Sequence, residues 1–268
     1  MLAFPNAKIN LGLHVIDKRG DGYHEIESCL YPIPLHDALE INVSKTPAFK
    51  TSGNLIPGDP EENLILKAYE LLKKDFKSLP AVSIHLHKAI PIGAGLGGGS
   101  ADAAFALTLM NKLFELYLDD WMLEEYASKL GSDCPFFIQN QPKLVGGRGE
   151  VMEPVQLDLS GSWIYLINPN IHISTKEAYA GVKPKAPELV LAQLLPQKDS
   201  WKMHLTNDFE EGIFSRYPEI AGLKEILYDS GAYYASMSGS GSSVFGLFSH
   251  VPKKITLPDH YFQFCKQM

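Results

Sequence analysis

The sequence predicts an α+β fold in two domains, and three observations carry that prediction. The chain opens with an antiparallel run of strands rather than a β-α-β unit. Strands and helices then follow in mixed order. Its 268 residues amount to about two domains at roughly 150 residues each. The boundary is expected in the polar stretch 156–162, giving domains 1–155 and 156–268.

The elements follow from residue pattern. Ala7, Ile9, Leu11, Leu13 and Val15 alternate with Lys8, Asn10, Gly12 and His14, the period of a half-buried strand. The cluster 18–22 (Lys-Arg-Gly-Asp-Gly) is a turn. A second strand is expected near 23–33, and Leu39, Ile41 and Val43 mark a third that continues the opening meander. Asp59, Pro60 and Glu62 suit the N-cap, first-turn and capping-box positions of a first helix. Its apolar stripe is Ile65, Ala68, Tyr69, Leu72 and Phe76. Val82, Ile84 and Leu86 alternate as a strand over 81–87. Pro91–Ser100 runs into an Ala-rich helix over 101–116. The next helix spans 120–130, capped by Asp119 or Asp120 and stopped by Gly131. The second half holds a strand at 163–167, a helix opened by the capping box Ser174–Glu177, and helices near 208–214 and 219–229. Ser238–Ser243 then precedes the apolar run Val244–Phe248.

Composition excludes several classes. At 45% hydrophobic and 21% charged residues, the chain is not disordered, collagen-like or a coiled coil. Its charge of −7, with no Lys/Arg cluster, argues against a nucleic-acid partner. No apolar run approaches the ~20 residues of a membrane span. Cys29, Cys134 and Cys265 are odd in number, far apart and form no CxxC pair. A reducing compartment is therefore expected. No leader is visible, so the bacterial cytoplasm is the expected location, with a trimmed plastid chain as the alternative. No obligate protein partner is evident.

Chemistry concentrates at a few places. Gly93, Gly95, Gly97, Gly98 and Gly99 leave backbone N–H groups free to line one concavity. Ser100 follows where a helix begins, and helix N-termini attract phosphate. Walker A requires a lysine that is missing here, and the Rossmann fingerprint requires a β-α-β context that is also missing. HRD and DFG triplets are absent too, and a dinucleotide oxidoreductase fails on the same motif context. Lys8 and Asn10 share a strand face about 6.6 Å apart. A lysine there can place charge beside a phosphoryl group, or the face is simply polar. Asp133 lies between a helix end and Pro135-Phe136-Phe137; it is either a proton acceptor for phosphoryl transfer or an N-cap. Tyr23 and His24 can stack on and hydrogen-bond a base, or are an ordinary half-buried pair. His85 and His87 lack a third metal ligand, and their face reads as solvated. Ser238–Ser243 is either a second amide nest or a tight turn.

Taken together and in chain order, these segments resemble the GHMP small-molecule kinase superfamily. The matching pieces are Ala7–Leu13, Arg19–His24, Pro91–Ala104, Gly131–Phe136, Asn207-Asp208 and Met237–Gly241. The resemblance implies a ribosomal-S5-like N-terminal domain, a ferredoxin-like C-terminal domain and an active site in the cleft between them. It implies a kinase using ATP and Mg²⁺. Within the superfamily, Ala-Lys-Ile-Asn-Leu with Asp-Gly-Tyr-His points to a cytidyl substrate. The implied reaction is phosphorylation of the 2-hydroxyl of 4-(cytidine 5'-diphospho)-2-C-methyl-D-erythritol, in isoprenoid precursor synthesis. Other alcohols of the superfamily (mevalonate, homoserine, galactose) are the alternative. A non-catalytic sensor on the same fold would lack Lys8 or Asp133, and both are present.

The resemblance also implies roles. Asp133 is the expected general base and Lys8 its cationic partner. Asn10, Tyr23, His24, Thr175 and Tyr179 are expected at the substrate. Asn63, Leu64, Lys88 and the loop Pro91, Ile92, Gly93, Ala94, Gly95, Leu96, Gly97, Gly98, Gly99, Ser100 and Ala101 are expected at ATP. No carboxylate is assigned to Mg²⁺, which is expected on ATP phosphates, Ser100 and water. Asp102 stands where a small or amide residue is commoner. Its charge suits a helix N-terminus but would repel phosphate if it faced the site. Cys134 replaces an aliphatic residue and is expected to pack.

Overall fold

The computed structural model describes residues 1–268. In chain order its elements are β1 (Leu2–Ala3), β2 (Asn6–Lys18), β3 (His24–His36), β4 (Ala38–Val43), β5 (Ala48–Gly53), α1 (Leu64–Asp75), β6 (Val82–Lys88), α2 (Gly98–Leu113), α3 (Asp120–Ser128) and α4 (Phe136–Gln139). They continue as β7 (Lys143–Gly146), β8 (Val151–Pro154), β9 (Trp163–Asn168), α5 (Thr175–Ala180), α6 (Leu191–Leu194), α7 (Trp201–His204), α8 (Phe209–Arg216), α9 (Pro218–Asp229), β10 (Tyr234–Met237), β11 (Val244–Phe248) and β12 (Phe262–Gln267). The mixture is α+β, as the sequence predicts. Packing divides the chain into two compact units, and neither is continuous in sequence.

The first unit holds residues 1–7, 35–92 and 97–141. Its sheet runs β1-β4-β6-β5. β4 is antiparallel to β6, and β5 is parallel to it. Parallel neighbours need a crossover connection, and α1 lies in the one between β5 and β6. One sheet face, carrying Leu39, Ile41, Ile84 and Leu86, packs with Ile65, Leu72, Leu107 and Met110 of α1 and α2. The expected stripe Ile65, Ala68, Tyr69 and Leu72 is the buried one. The start of α1 differs from expectation. Asp59 caps a short 3-10 turn over Pro60–Glu62 by accepting the Glu61 N–H at 3.0 Å. Asn63 has extended backbone, which ends that turn, and its side chain caps α1 through the Ile65 N–H at 3.0 Å.

The second unit holds residues 8–34, 93–96 and 142–268. Its sheet β10-β11-β9-β12 is antiparallel throughout. Tyr165, Ile167 and Val244 of that sheet form a core with Phe209, Ile213, Leu223 and Leu227 of α8 and α9, joined by Leu13 and Val15. β2 and β3 begin the remaining sheet, in the order β2-β3-β7-β8.

Two expectations are corrected. β2 is not half-buried: residues 6–15 are buried on both faces, Lys8, Asn10 and His14 included. The polar positions of its alternation point into protein, where they find partners. The opening meander also stops after two strands. β4 leaves it to lie between β1 and β6, because Leu39 and Ile41 bury against α1 and α2.

Candidate active site

In the second unit, Lys8 and the glycine run meet. The Lys8 N–H donates to Leu96 O at 2.9 Å. Its ammonium donates to Asn10 Oδ1 at 2.6 Å and to Gly95 O at 3.0 Å. Asn10 Nδ2 in turn donates to Ser28 Oγ at 2.8 Å, and Ser28 Oγ to Gly12 O at 2.7 Å. A nearly buried ammonium in such a cage is held at one point with few of its hydrogen bonds left to water. Lys8 and Asn10 are therefore buried and partnered, and do not form a solvated polar face.

The Ser238–Ser243 turn has a third role that neither sequence reading foresaw: it docks the glycine loop. Ser238 Oγ donates to Gly95 O at 2.8 Å and accepts the Asn10 N–H at 3.3 Å. The Ser243 N–H reaches Ala94 O at 3.3 Å. Asn207 holds the turn from behind, donating from Nδ2 to Met237 O and Gly239 O, each at 2.8 Å. Gly95 sits at φ +76°, and a Cβ there would fall 2.0 Å from Ser238 O. Conformation and close approach both require glycine at this point.

In the first unit, α2 begins at Gly98, three residues earlier than expected. Ala101 already donates its N–H to Gly97 O. The unpaired donors of the helix start therefore fall on Gly97, Gly98, Gly99 and Ser100. Those N–H groups and the helix dipole are what an anion would meet at the end of the glycine run. Ser100 lies beside the Cys134 thiol, which burial pushes up to about 11. The half-buried Asp133 thus lies on a turn packed beside the start of α2. It does not cap α4: Pro135 holds that position, and no side chain bonds there. The N-cap reading of Asp133 falls on that ground.

Three other expected nucleotide residues have structural duties. Asn63 caps α1 and Leu64 begins it. Lys88 is buried between Asp37 and Asp102, donating to Asp102 Oδ2 at 2.7 Å and also to Asp37 Oδ2. Asp102 therefore points into the protein rather than at a phosphate. Burial, opposed by the Lys88 charge and reinforced by Asp37, lifts its carboxyl to about 7. Between the unfolded value of about 4 and that value, the folded chain holds a proton the unfolded chain has lost, so stability falls as pH rises. Asp102→Asn is expected to flatten that fall, read as urea midpoints at about pH 5 and about pH 7. An unchanged slope would count against the assignment.

The aromatic pair lies in the second unit. The His24 and Tyr179 rings stack with centroids 4.5 Å apart at 14°. Phe209 meets Tyr179 edge-on at 4.9 Å. Tyr23 is exposed, with the Arg148 guanidinium 4.7 Å from its ring centre. The Tyr23 loop is latched at both sides. Glu25 accepts from Arg19 Nη1 at 2.9 Å and from the Gly147 N–H at 3.0 Å, while Asp21 Oδ1 accepts the Tyr23 N–H at 3.1 Å. Thr175, exposed, opens α5 four residues before Tyr179. Sequence reading missed Arg148 and Phe209. The glycine-rich turn around Arg148 was the available signal for the first; for Phe209 there was none.

No group of three or more His, Cys, Asp or Glu side chains is arranged to hold a metal. His85 and His87 share a hydrogen-bonded Ser52 on an exposed face. No helix is long and apolar enough to cross a membrane.

Comparison with known proteins bears on the fold. The family model for the GHMP kinases N terminal domain matches residues 63–141, and that for GHMP kinases C terminal matches residues 195–255. The 4-diphosphocytidyl-2-C-methyl-D-erythritol kinase of Bacteroides fragilis is 51% identical, over 100% of this chain and 98% of its own. That of Cytophaga hutchinsonii is 53% identical over 94% of each. A crystal structure of 4-(cytidine 5'-diphospho)-2C-methyl-D-erythritol kinase superposes with a TM-score of 0.80. It is 32% identical over 92% of this chain and 90% of that one.

Proposed function

The chain belongs to the GHMP kinase family, and from that membership we propose that it transfers the γ-phosphoryl group of ATP to the 2-hydroxyl of 4-(cytidine 5'-diphospho)-2-C-methyl-D-erythritol. The observation that carries this reading is the Lys8 cage, a dry ammonium bonded to the carbonyl of Gly95 in the middle of the glycine loop. Phosphoryl transfer is catalysed chiefly by positioning and by charge placed where the transition state needs it.

Each residue then has a task. Pro91–Ala101 binds the ATP phosphates with its free N–H groups, and Lys8 supplies a fixed positive charge at the transferring group. Asp133 takes the proton from the attacking hydroxyl. Asn10 orients Lys8, and His24, Tyr179 and Tyr23 hold the cytosine, with Thr175 nearby. Mg²⁺ would be held by the ATP phosphates, Ser100 and water. Its contribution is to neutralise phosphate charge. The domain boundary near 155 belongs to the same reading. So does a cytoplasmic location, supported by three cysteines that are all free.

The reading is tested by ADP release with Mg-ATP across four alcohols: the cytidyl methylerythritol, mevalonate, homoserine and galactose. Turnover confined to the first is expected. Turnover of another alcohol would keep the phosphate machinery and overturn the cytosine site. Tyr23→Ala is expected to raise KM for the cytidyl substrate about tenfold, the loss of roughly one stacked base contact. KM for ATP should not move, and an unchanged cytidyl KM would remove Tyr23 from the site.

A further inference from the structure

The glycine loop leaves β6 and enters α2, and one buried cation joins those two ends. Lys88 is the last residue of β6. It bonds Asp37 Oδ2 and Asp102 Oδ2, and all three side chains are almost wholly shielded from solvent. Asp37 Oδ1 accepts the N–H groups of Ala89 at 2.6 Å and Ile90 at 2.9 Å, the two residues that lead into Pro91. Asp102 is the fifth residue of α2, just past its first turn. Gly98, which opens that helix, presses on the same group: a Cβ there would lie 2.9 Å from both Lys88 Nζ and Ile90 Cγ2. Asp37 therefore fixes the loop's entry, Asp102 marks its exit, and Lys88 ties one to the other.

We infer that Lys88 is a positioning residue rather than a nucleotide contact: with Asp37 and Asp102 it holds the two ends of the glycine loop at a set spacing, so that ATP meets a cradle already formed. A buried ion group adds little net stability over apolar side chains of equal volume, and on this inference its role here is to fix one geometry of the loop ends. A preformed cradle spares the nucleotide the cost of ordering the loop. The inference rests on the loop being the ATP site, so its test must separate the two.

The test is steady-state kinetics on the full chain with Lys88→Met, Asp102→Ala and the double variant. Each single variant is expected to raise KM for ATP about tenfold, with KM for the cytidyl substrate within about twofold. The double variant should be no worse than the worse single one, since both remove the same brace. The preference for ATP over GTP should stay unchanged, and Asp102→Asn, which keeps an acceptor for Lys88, should recover most of the loss. If a single variant fails to fold, Lys88→Met with Asp37→Asn and Asp102→Asn removes every charge at similar volume, and the same ATP-specific rise is expected. Three results would overturn the inference. Lys88→Met could act alone while Asp102→Ala leaves ATP binding intact, making Lys88 a direct contact. Both KM values could rise together, making the trio a general fold element. Neither could move. Gly99→Asp controls the premise. Gly99 is exposed with open space around its Cβ position, so the change adds only a negative charge at the helix start. If ATP binding survives it, the loop reading falls and the brace falls with it. If Gly99→Asp abolishes binding and the brace variants do not, only the brace falls.

Discussion

Asp133→Asn is expected to lower kcat by about 10²–10⁴-fold, the span of a positioned proton acceptor. Asparagine matches aspartate in size and cannot take the proton from a tertiary hydroxyl. The turn that carries Asp133 is held by neighbours the substitution leaves alone. The Cys134 N–H bonds Gly131 O at 3.2 Å, Cys134 contacts Ser100, and Phe136 and Phe137 are buried behind it. The variant should therefore fold normally and keep both KM values, so the loss appears in kcat alone. Circular dichroism and a full substrate titration check this. A variant that retained near-normal kcat would end the assignment of Asp133 as the base.

Gly95→Ala is expected to be the most damaging single methyl in the chain. The added carbon would lie 2.0 Å from Ser238 O and 3.2 Å from Gly241 O, both backbone atoms, and the residue would keep a left-handed conformation costing about 1 kcal/mol for alanine. The clash pushes the loop off its dock and breaks the bonds that Lys8 Nζ and Ser238 Oγ make to Gly95 O. A misplacement of about 1 Å at reacting groups costs about 10²-fold in rate, so kcat/KM should fall at least that far. Gly99→Ala, on the open side of the helix start, is the matched control and should lose little. Equal losses in the two variants would show that the glycines matter for flexibility rather than for the dock on Ser238.

Much of this was legible in the chain. The apolar periods of α1 and β6, the capping box at Ser174, and the buried run of β11 depend on neighbours within one or two turns. Local spacing therefore reports them well. The glycine run and the helix that follows it were legible because both are local properties. What escaped notice shares a different character. β5, β10 and β12 are strands by virtue of the partners they pair with, and β12, with Cys265, Lys266 and Gln267 exposed, carries little apolar signal. β4 reads as the third strand of a meander until Leu39 and Ile41 are seen to face α1 and α2.

The site divides along the same line. By itself the sequence determined the α+β class, the glycine run that leads into a helix at residues 93–100 and the residue types available for phosphoryl transfer. A backbone cradle, a lysine and an aspartate are chemical properties of the residues named. Only the tertiary structure decided what those residues face. It turned Lys8 into a caged cation on Gly95, and Ser238 into the dock of the loop 143 residues away. It buried Lys88 between Asp37 and Asp102 and turned the Asp102 carboxylate into the protein. The physical reason is that a charged side chain takes its role from partners within hydrogen-bonding distance. Folding chooses those partners from segments that the sequence order keeps far apart.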